Sequence, residues 1–314
     1  MHHSPDTTTA GATHERTATT AHEDQVGTAH FDVVVVGARA AGAGTAMLLA
    51  RRGLSVLAVD RSAYGSDTLS THSLARVGVL QLSRWGLLDR LRDAGTPTTS
   101  SVVFHYGDEP TVLDVSAPGD VDGLYSPRRT VLDRILVDAA RESGASVLHG
   151  VSVADLTTDA TGRVNGITAD IDGTRCHIGA TWVIGADGVR SRVARSVDAV
   201  TTHRETAASA VIYGYWKGVR SDRIHNMFER RGRAVGVIPT NDGETCVWVA
   251  MTQDEFTNRA RGRVEATYHD EIGSFAGLRP LLHGAEFVGG IRGFAGVPGH
   301  LRRAYGRGWA LVGD

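Results

Sequence analysis

Four β-branched residues in a row, Val33 to Val36, open the regular pattern of this chain. A short apolar run without alternation marks a strand buried on both faces of a parallel sheet. The Ala-, Met- and Leu-rich stretch from Ala40 to Arg52 predicts a covering helix, with Gly53 ending it at the C′ position. Ser55 to Val59 predicts a second strand, which completes a strand, turn, helix, strand unit.

Helical spacing at Val79, Leu80, Leu82, Trp85, Leu88 and Leu91 predicts a helix ending near Ala94 and Gly95. The alternating stretch SVVFHYGDEPTVLDV predicts a hairpin. A strong helical period then runs through Val131, Leu132, Ile135, Leu136 and Ala139, followed by Gly144 and a strand around Val147. From Val151 to Trp182 the pattern predicts a β-meander across the main sheet, turning at Thr161-Gly162 and Asp172-Gly173. TWVIGADGVRSRVAR predicts another buried strand, a glycine turn and a short basic helix.

Residues 205–300 alternate apolar and polar positions, apart from a helical stretch from about Asp254 to Ile272. They predict an antiparallel sheet carrying a helix, before GRGWALVGD returns to the buried-strand pattern. The fold class expected is α/β with an inserted α+β part. A Rossmann-like nucleotide-binding domain comprises 31–99, 119–204 and 301–314, and a mixed-sheet substrate domain comprises 100–118 and 205–300.

Composition narrows the function. Residues 1–30 hold almost no large apolar side chains to offset the entropy of ordering, so a disordered leader is expected. Thirty-three Lys and Arg balance thirty-five Asp and Glu, giving a net charge of −2 and arguing against a nucleic-acid partner. The basic segment 220–233 is mixed with acids and reads as a solvated loop or helix face. Cys176 and Cys246 lie too far apart in sequence to suggest a metal cluster or redox pair, so no metal is expected. No apolar run reaches the length of a membrane span, and no secretory signal opens the chain. A cytoplasmic protein without stable membrane insertion is expected.

The chemistry gathers at GARAAG, residues 37–42. Gly37 permits a tight turn, Gly42 lets the helix pack close, and the helix N-terminus offers N–H groups to a pyrophosphate. Asp60 follows Gly37 by twenty-three residues, the spacing of an acid that accepts ribose hydroxyls and disfavours a 2′-phosphate. Arg39 stands where the second glycine of such loops is usual, either as a phosphate partner or as a solvated side chain. Tyr213, Tyr215 and Trp216 suggest either a pocket wall or plain core.

GARAAG with Asp60-Arg61, Arg129 in RRTVL, Asp187-Gly188 and Gly313-Asp314 together resemble the FAD-dependent monooxygenases of the aromatic hydroxylase type. The wider superfamily includes geranylgeranyl reductases and flavin-dependent halogenases. The resemblance runs from Phe31 to the last residue and implies an FAD-binding domain in which Gly37, Ala38, Arg39, Ala40, Ala41 and Gly42 hold the pyrophosphate. It implies that Asp60 and Arg61 meet the adenosine ribose and that Arg129 reaches the flavin nucleotide. Asp187 and Gly188 match the motif shared by FAD and the nicotinamide cofactor, and Gly313 and Asp314 match the contact to the ribityl chain. Thr71 and His72 in DTLSTH lie where the family's chain passes the flavin, as candidates for lining the active site, though His72 also suits a structural role.

The leading expectation is a monooxygenase that uses NADPH or NADH and O2 to hydroxylate or epoxidise a small organic substrate. The second is a flavin-dependent reductase of isoprenoid double bonds. The halogenase branch is disfavoured, because its WxWxIP motif is represented only by VGVIP at 235–239. The family's pattern continues past Gly-Asp whereas this sequence stops at Asp314, so a truncated nucleotide-binding form without turnover is the third expectation.

Overall fold

The structure, a computed structural model, describes residues 30–107, 109–115, 121–229 and 232–313. The expected leader and Asp314 lie outside the described residues, apart from His30, which begins the first strand. The described residues divide into two compact units: those within 30–64, 136–199 and 303–313 form the first, and those within 65–135 and 200–302 the second. Residues 65–99 and 119–135, which the sequence pattern groups with the nucleotide-binding segments, are counted in the second unit by contacts.

The first unit is built on a parallel sheet, Trp309–Leu311, Thr174–Gly185, His30–Val36, Val56–Asp60 and Ser146–His149 in spatial order. Val34, Val36, Leu57, Val59 and Val183 are buried in its core, as unalternating apolar runs require. The strands next to His30–Val36 come from different parts of the chain, so the order reverses there. In open sheets of this kind ligands bind beyond the carboxyl ends at that reversal. The helix Ala40–Ala50 follows the first strand and stops two residues before the expected Arg52, where Gly53 adopts φ +81°.

The expected meander consists of Ser152–Thr158, Val164–Ile171 and Thr174–Gly185. It does not lie across the main sheet. Residues 174–179 pair antiparallel within the meander, and the same twelve-residue strand continues as a parallel member beside His30–Val36.

The second unit holds a seven-stranded sheet in the order Glu286–Phe294, Ser209–Lys217, Glu244–Thr252, Ala234–Pro239, Ile224–Phe228, Ser101–Tyr106, Glu109–Asp114. All its pairs are antiparallel except Ile224–Phe228 with Ser101–Tyr106. One face, with Ile212, Val235, Val237, Val247 and Met251, packs on Tyr268, Ile272 and Leu278. The other carries Val102, Tyr213, Tyr215, Ile224, Ile238 and Cys246. Together the units form the expected α/β fold with an inserted α+β part.

Three expected elements change. The helix through Val79 and Leu91 is two, Arg76–Arg84 and Leu88–Asp93, broken where Gly86 takes φ +74°. The helical stretch near 254–272 is also two, Gln253–Arg259 and Val264–Ser274, separated by Gly262 at φ +75°. The basic segment 220–233 contains the strand Ile224–Phe228, because its apolar positions Ile224 and Met227 are buried in the sheet. Among the described residues no helix is long and apolar enough to cross a membrane.

Candidate functional site

In the first unit the glycine loop leaves the first strand at Gly37, whose φ of +99° excludes an ordinary side chain. A Cβ there would stand 2.4 Å from the Ala186 carbonyl oxygen, and one at Gly42 would stand 1.7 Å from the Gly37 oxygen. Arg39 is the extended N-cap of the helix, and no side chain caps it. The first-turn N–H groups at Ala40, Ala41 and Gly42 therefore suit an anionic ligand at the positive end of the helix dipole. Arg39 itself is half-buried, and its charge helps to lower the pKa of His149.

Asp60 ends the second strand and is buried. Its Oδ2 accepts from the Ala38 N–H and its Oδ1 from the Ser62 N–H, both at 2.8 Å. The acid that the spacing assigned to a ribose thus also clamps the glycine loop. Each carboxylate oxygen retains a further lone pair for a hydroxyl. Arg61 is exposed beside it.

Ala186 donates its N–H to the Val36 carbonyl at 2.7 Å, which brings the Asp187-Gly188 turn against the glycine loop. Asp187 Oδ2 accepts from the N–H groups of Arg192 and Val193, capping the short helix Arg192–Ser196, while its Oδ1 is buried without a partner. Gly313 adopts φ +81°, and a Cβ on it would come within 3.0 Å of the Ala41 side chain. Three sequence motifs thus converge at the carboxyl ends of adjacent parallel strands. A crowded glycine cradle, uncapped helical N–H groups and a buried acid with an open oxygen fit a dinucleotide such as FAD.

The second unit holds the remaining candidates. Arg129 bonds both oxygens of Asp133 at 3.0 Å and the Leu69 carbonyl at 3.3 Å. Thr71 is exposed, whereas His72 is buried with φ +63°, a left-handed conformation that is costly outside glycine. His72 Nε2 lies 2.7 Å from the Tyr215 hydroxyl, and its ring meets Tyr213 edge-on at 4.5 Å. Burial and the nearby Arg128 charge push its pKa down to about 4, so the imidazole is neutral at pH 7. Burial raises the Tyr215 phenol far above its ordinary value.

Arg128 lies 3.7 Å above the Tyr215 ring and pairs with Glu244 at 2.5 Å and Asp67 at 3.5 Å. Asp67 also pairs with Arg292 at 3.2 Å. Tyr215, Arg128 and Asp67 went unrecognised in the sequence as neighbours of His72. Alternation at Tyr213 and Tyr215 marked the strand face, but nothing local links it to a histidine 143 residues earlier. Among the described residues no group of three His, Cys, Asp or Glu side chains could hold a metal ion.

The sequence pattern of the family described as "FAD binding domain" matches residues 30–284. Menaquinone reductase of Mycolicibacterium smegmatis is 29% identical over 300 residues, covering 90% of this chain and 69% of that protein. Digeranylgeranylglycerophospholipid reductase 2 of Methanopyrus kandleri is 27% identical over 299 residues, covering 90% of this chain and 70% of that protein. The solved structure of the myxobacterial chondrochloren halogenase, an FAD-dependent enzyme, has a TM-score of 0.81 at 23% identity, over 90% of this chain and 68% of that one. With the glycine cradle, the Asp60 clamp and the Asp187-Gly188 turn in place, this chain belongs to the FAD-binding domain family and is an FAD-dependent oxidoreductase.

Proposed function

We propose that this flavoprotein reduces carbon–carbon double bonds of an isoprenoid substrate with electrons from NADPH or NADH. The observation that carries this reading is the buried Tyr215–His72 couple, with 2.7 Å between hydroxyl and imidazole. Oxygen insertion asks the protein mainly for orientation and exclusion of water. Saturating a double bond also requires a proton on the carbon beside the one that receives hydride. Bound FAD, held by the glycine loop and Asp60, would supply the hydride after reduction by a nicotinamide cofactor.

Tyr215 donates the proton from its hydroxyl. His72, neutral near pH 7, accepts the phenol hydrogen in one tautomer and donates to the phenolate oxygen in the other. Arg128 above the ring opposes the negative charge left on the oxygen. The digeranylgeranylglycerophospholipid reductase among the relatives supports the same reading. We assign FAD to the first unit, with Arg39 and Arg61 facing its phosphate and ribose, and the substrate to the second. Arg129 and Asp314 are assigned to the flavin nucleotide and its ribityl chain.

The test is anaerobic turnover of prenyl substrates by the reduced protein in D2O. Deuterium is expected at both carbons of each saturated bond, because the hydrogen that reduced flavin transfers exchanges with solvent. Tyr215→Phe should keep its FAD absorbance and lose turnover by at least about a hundredfold. Substrate-stimulated oxygen consumption with an oxygenated product would instead establish a monooxygenase.

A further inference from the structure

The second unit joins three further side chains in a line. Ser221 precedes the strand Ile224–Phe228, His225 lies within it, and His105 lies on the neighbouring parallel strand Ser101–Tyr106. His225 Nε2 stands 2.7 Å from the Ser221 hydroxyl oxygen, and its Nδ1 stands 3.2 Å from His105 Nε2. His225 is buried, whereas Ser221 and His105 are half-buried, so the hydroxyl end of the line is reachable from solvent. Alternation puts His225 on the sheet face of Met227, which packs with Tyr268 and Ile272. Tyr213 and Tyr215 belong to the cluster on the other face, so this line is separate from the Tyr215–His72 couple.

The two imidazoles meet head-on. Their ring centroids are 5.5 Å apart at 24°, which is the nitrogen separation extended by one ring radius on each side. The rings therefore point at each other along one line, as a direct N–H···N bond requires. Nitrogens that share a metal ion would instead converge on a point off that line.

Hydrogen bonding fixes the direction of the line. Ser221 Oγ already accepts the Arg223 N–H at 3.0 Å. If His225 Nε2 also donated to it, the serine hydrogen would be left with the Arg223 carbonyl, 3.4 Å away and too far for a good O–H···O bond. The satisfied arrangement has Ser221 donating to His225 Nε2, and His225 Nδ1–H donating to His105 Nε2. That is the order of a nucleophile, its base and the group that orients the base. Burial lowers the pKa of both histidines, that of His225 to about 4, so both are neutral at pH 7 and His225 Nε2 can take a proton. Asp222 favours the charge that would follow, and Arg223 opposes it.

The geometry points to Ser221 as a nucleophile toward small carboxylic esters, with His225 as its base and His105 as a positioning residue, in a second activity independent of the flavin. Ser221 Oγ bonds to the ester carbonyl carbon while its proton passes to His225 Nε2. That proton leaves with the alkoxide as the ester C–O bond breaks, giving an acyl-serine and an alcohol. Water, deprotonated by His225 in turn, releases the acid and restores the hydroxyl. Among the described residues the N–H groups of Ser221 and Asp222 carry no hydrogen bond, and they are available to the oxyanion of the tetrahedral intermediate.

The test treats the FAD-loaded protein at pH 7 with a fluorophosphonate probe, which phosphonylates activated serines, and locates the label by peptide mass. Ser221 should label at least about a hundredfold faster than any other serine, the contribution of a positioned base. Hydrolysis of p-nitrophenyl acetate should be lost in Ser221→Ala. His225→Gln should slow the labelling about a hundredfold. His105→Leu should slow it about tenfold, whereas His105→Gln, whose amide oxygen can accept the Nδ1–H, should recover most of the rate. A structural role alone would not separate those two variants. Label spread evenly over the serines overturns the assignment even if a variant fails to fold. An unchanged labelling rate in folded His225→Gln, or wild-type ester hydrolysis by Ser221→Ala, overturns it too. Equal loss in both His105 variants overturns the positioning role of His105.

Discussion

The indole of Trp248 fills the space that a side chain at Gly236 would need: a Cβ on Gly236 would lie 2.2 Å from the ring. The two residues are directly opposite on neighbouring strands. Gly236→Val should therefore displace the indole and lower unfolding stability by about 1–3 kcal/mol, the usual cost of overpacking. Combining it with Trp248→Ala should recover part of that loss, giving a positive coupling in a double-mutant cycle measured by urea unfolding. Simple additivity would mean that the indole moves aside freely.

The nucleotide cradle depends on Asp60 as a double acceptor. Asp60→Asn would place an amide NH2 against one of the two backbone donors, leaving a buried N–H unmatched at a cost of about 1–3 kcal/mol. FAD affinity should fall between about tenfold and a hundredfold, followed by flavin fluorescence on dilution. Gly37→Ala should be more severe, because it adds a contact of 2.4 Å to a φ of +99°. Isolation of that variant with normal FAD content would contradict the geometry.

Two buried histidines predict an acid sensitivity. His72 and His225 have their pKa lowered from 6.5 to about 4, in each case chiefly by burial. The unfolded chain protonates them first, so stability is complete above about pH 6.5 and declines as the pH falls toward 4. The decline amounts to roughly 3 kcal/mol for each histidine at most. Urea midpoints at pH 7 and pH 5 should differ accordingly, and His225→Asn should flatten the slope. An unchanged midpoint over that range would refute the assignment.

Glu271 is 2% exposed and joins Arg233 to Arg259, which lies 2.5 Å from its Oε1. Glu271→Gln leaves two guanidinium groups facing a neutral amide. Breaking such a pair by removing one partner costs about 3–5 kcal/mol. Thermal unfolding should register the loss, and a shift of less than a degree would show that the arginines find other partners.

The nucleotide-binding half was legible because its signals are local. An unalternating run of valines, a glycine where φ must be positive and an acid at a set distance each follow from covalent geometry within some thirty residues. The division of two long helical patterns, each into two helices, was also written locally, at Gly86 and at Gly262, but apolar periodicity alone overrode it. The convergence of Gly37, Asp187 and Gly313 depends on which strands become neighbours, and periodicity does not specify that order.

The chain by itself determined its class, its glycine loop and the alternating face that carries Tyr213 and Tyr215. Only the tertiary structure decided that His72 pairs with Tyr215, that Arg128 sits over the phenol, and that Trp248 lies over Gly236. Those contacts join residues on separate segments through sheet register and burial. A side chain's partner across a sheet is set by the folding of the strands around it, not by its neighbours in sequence.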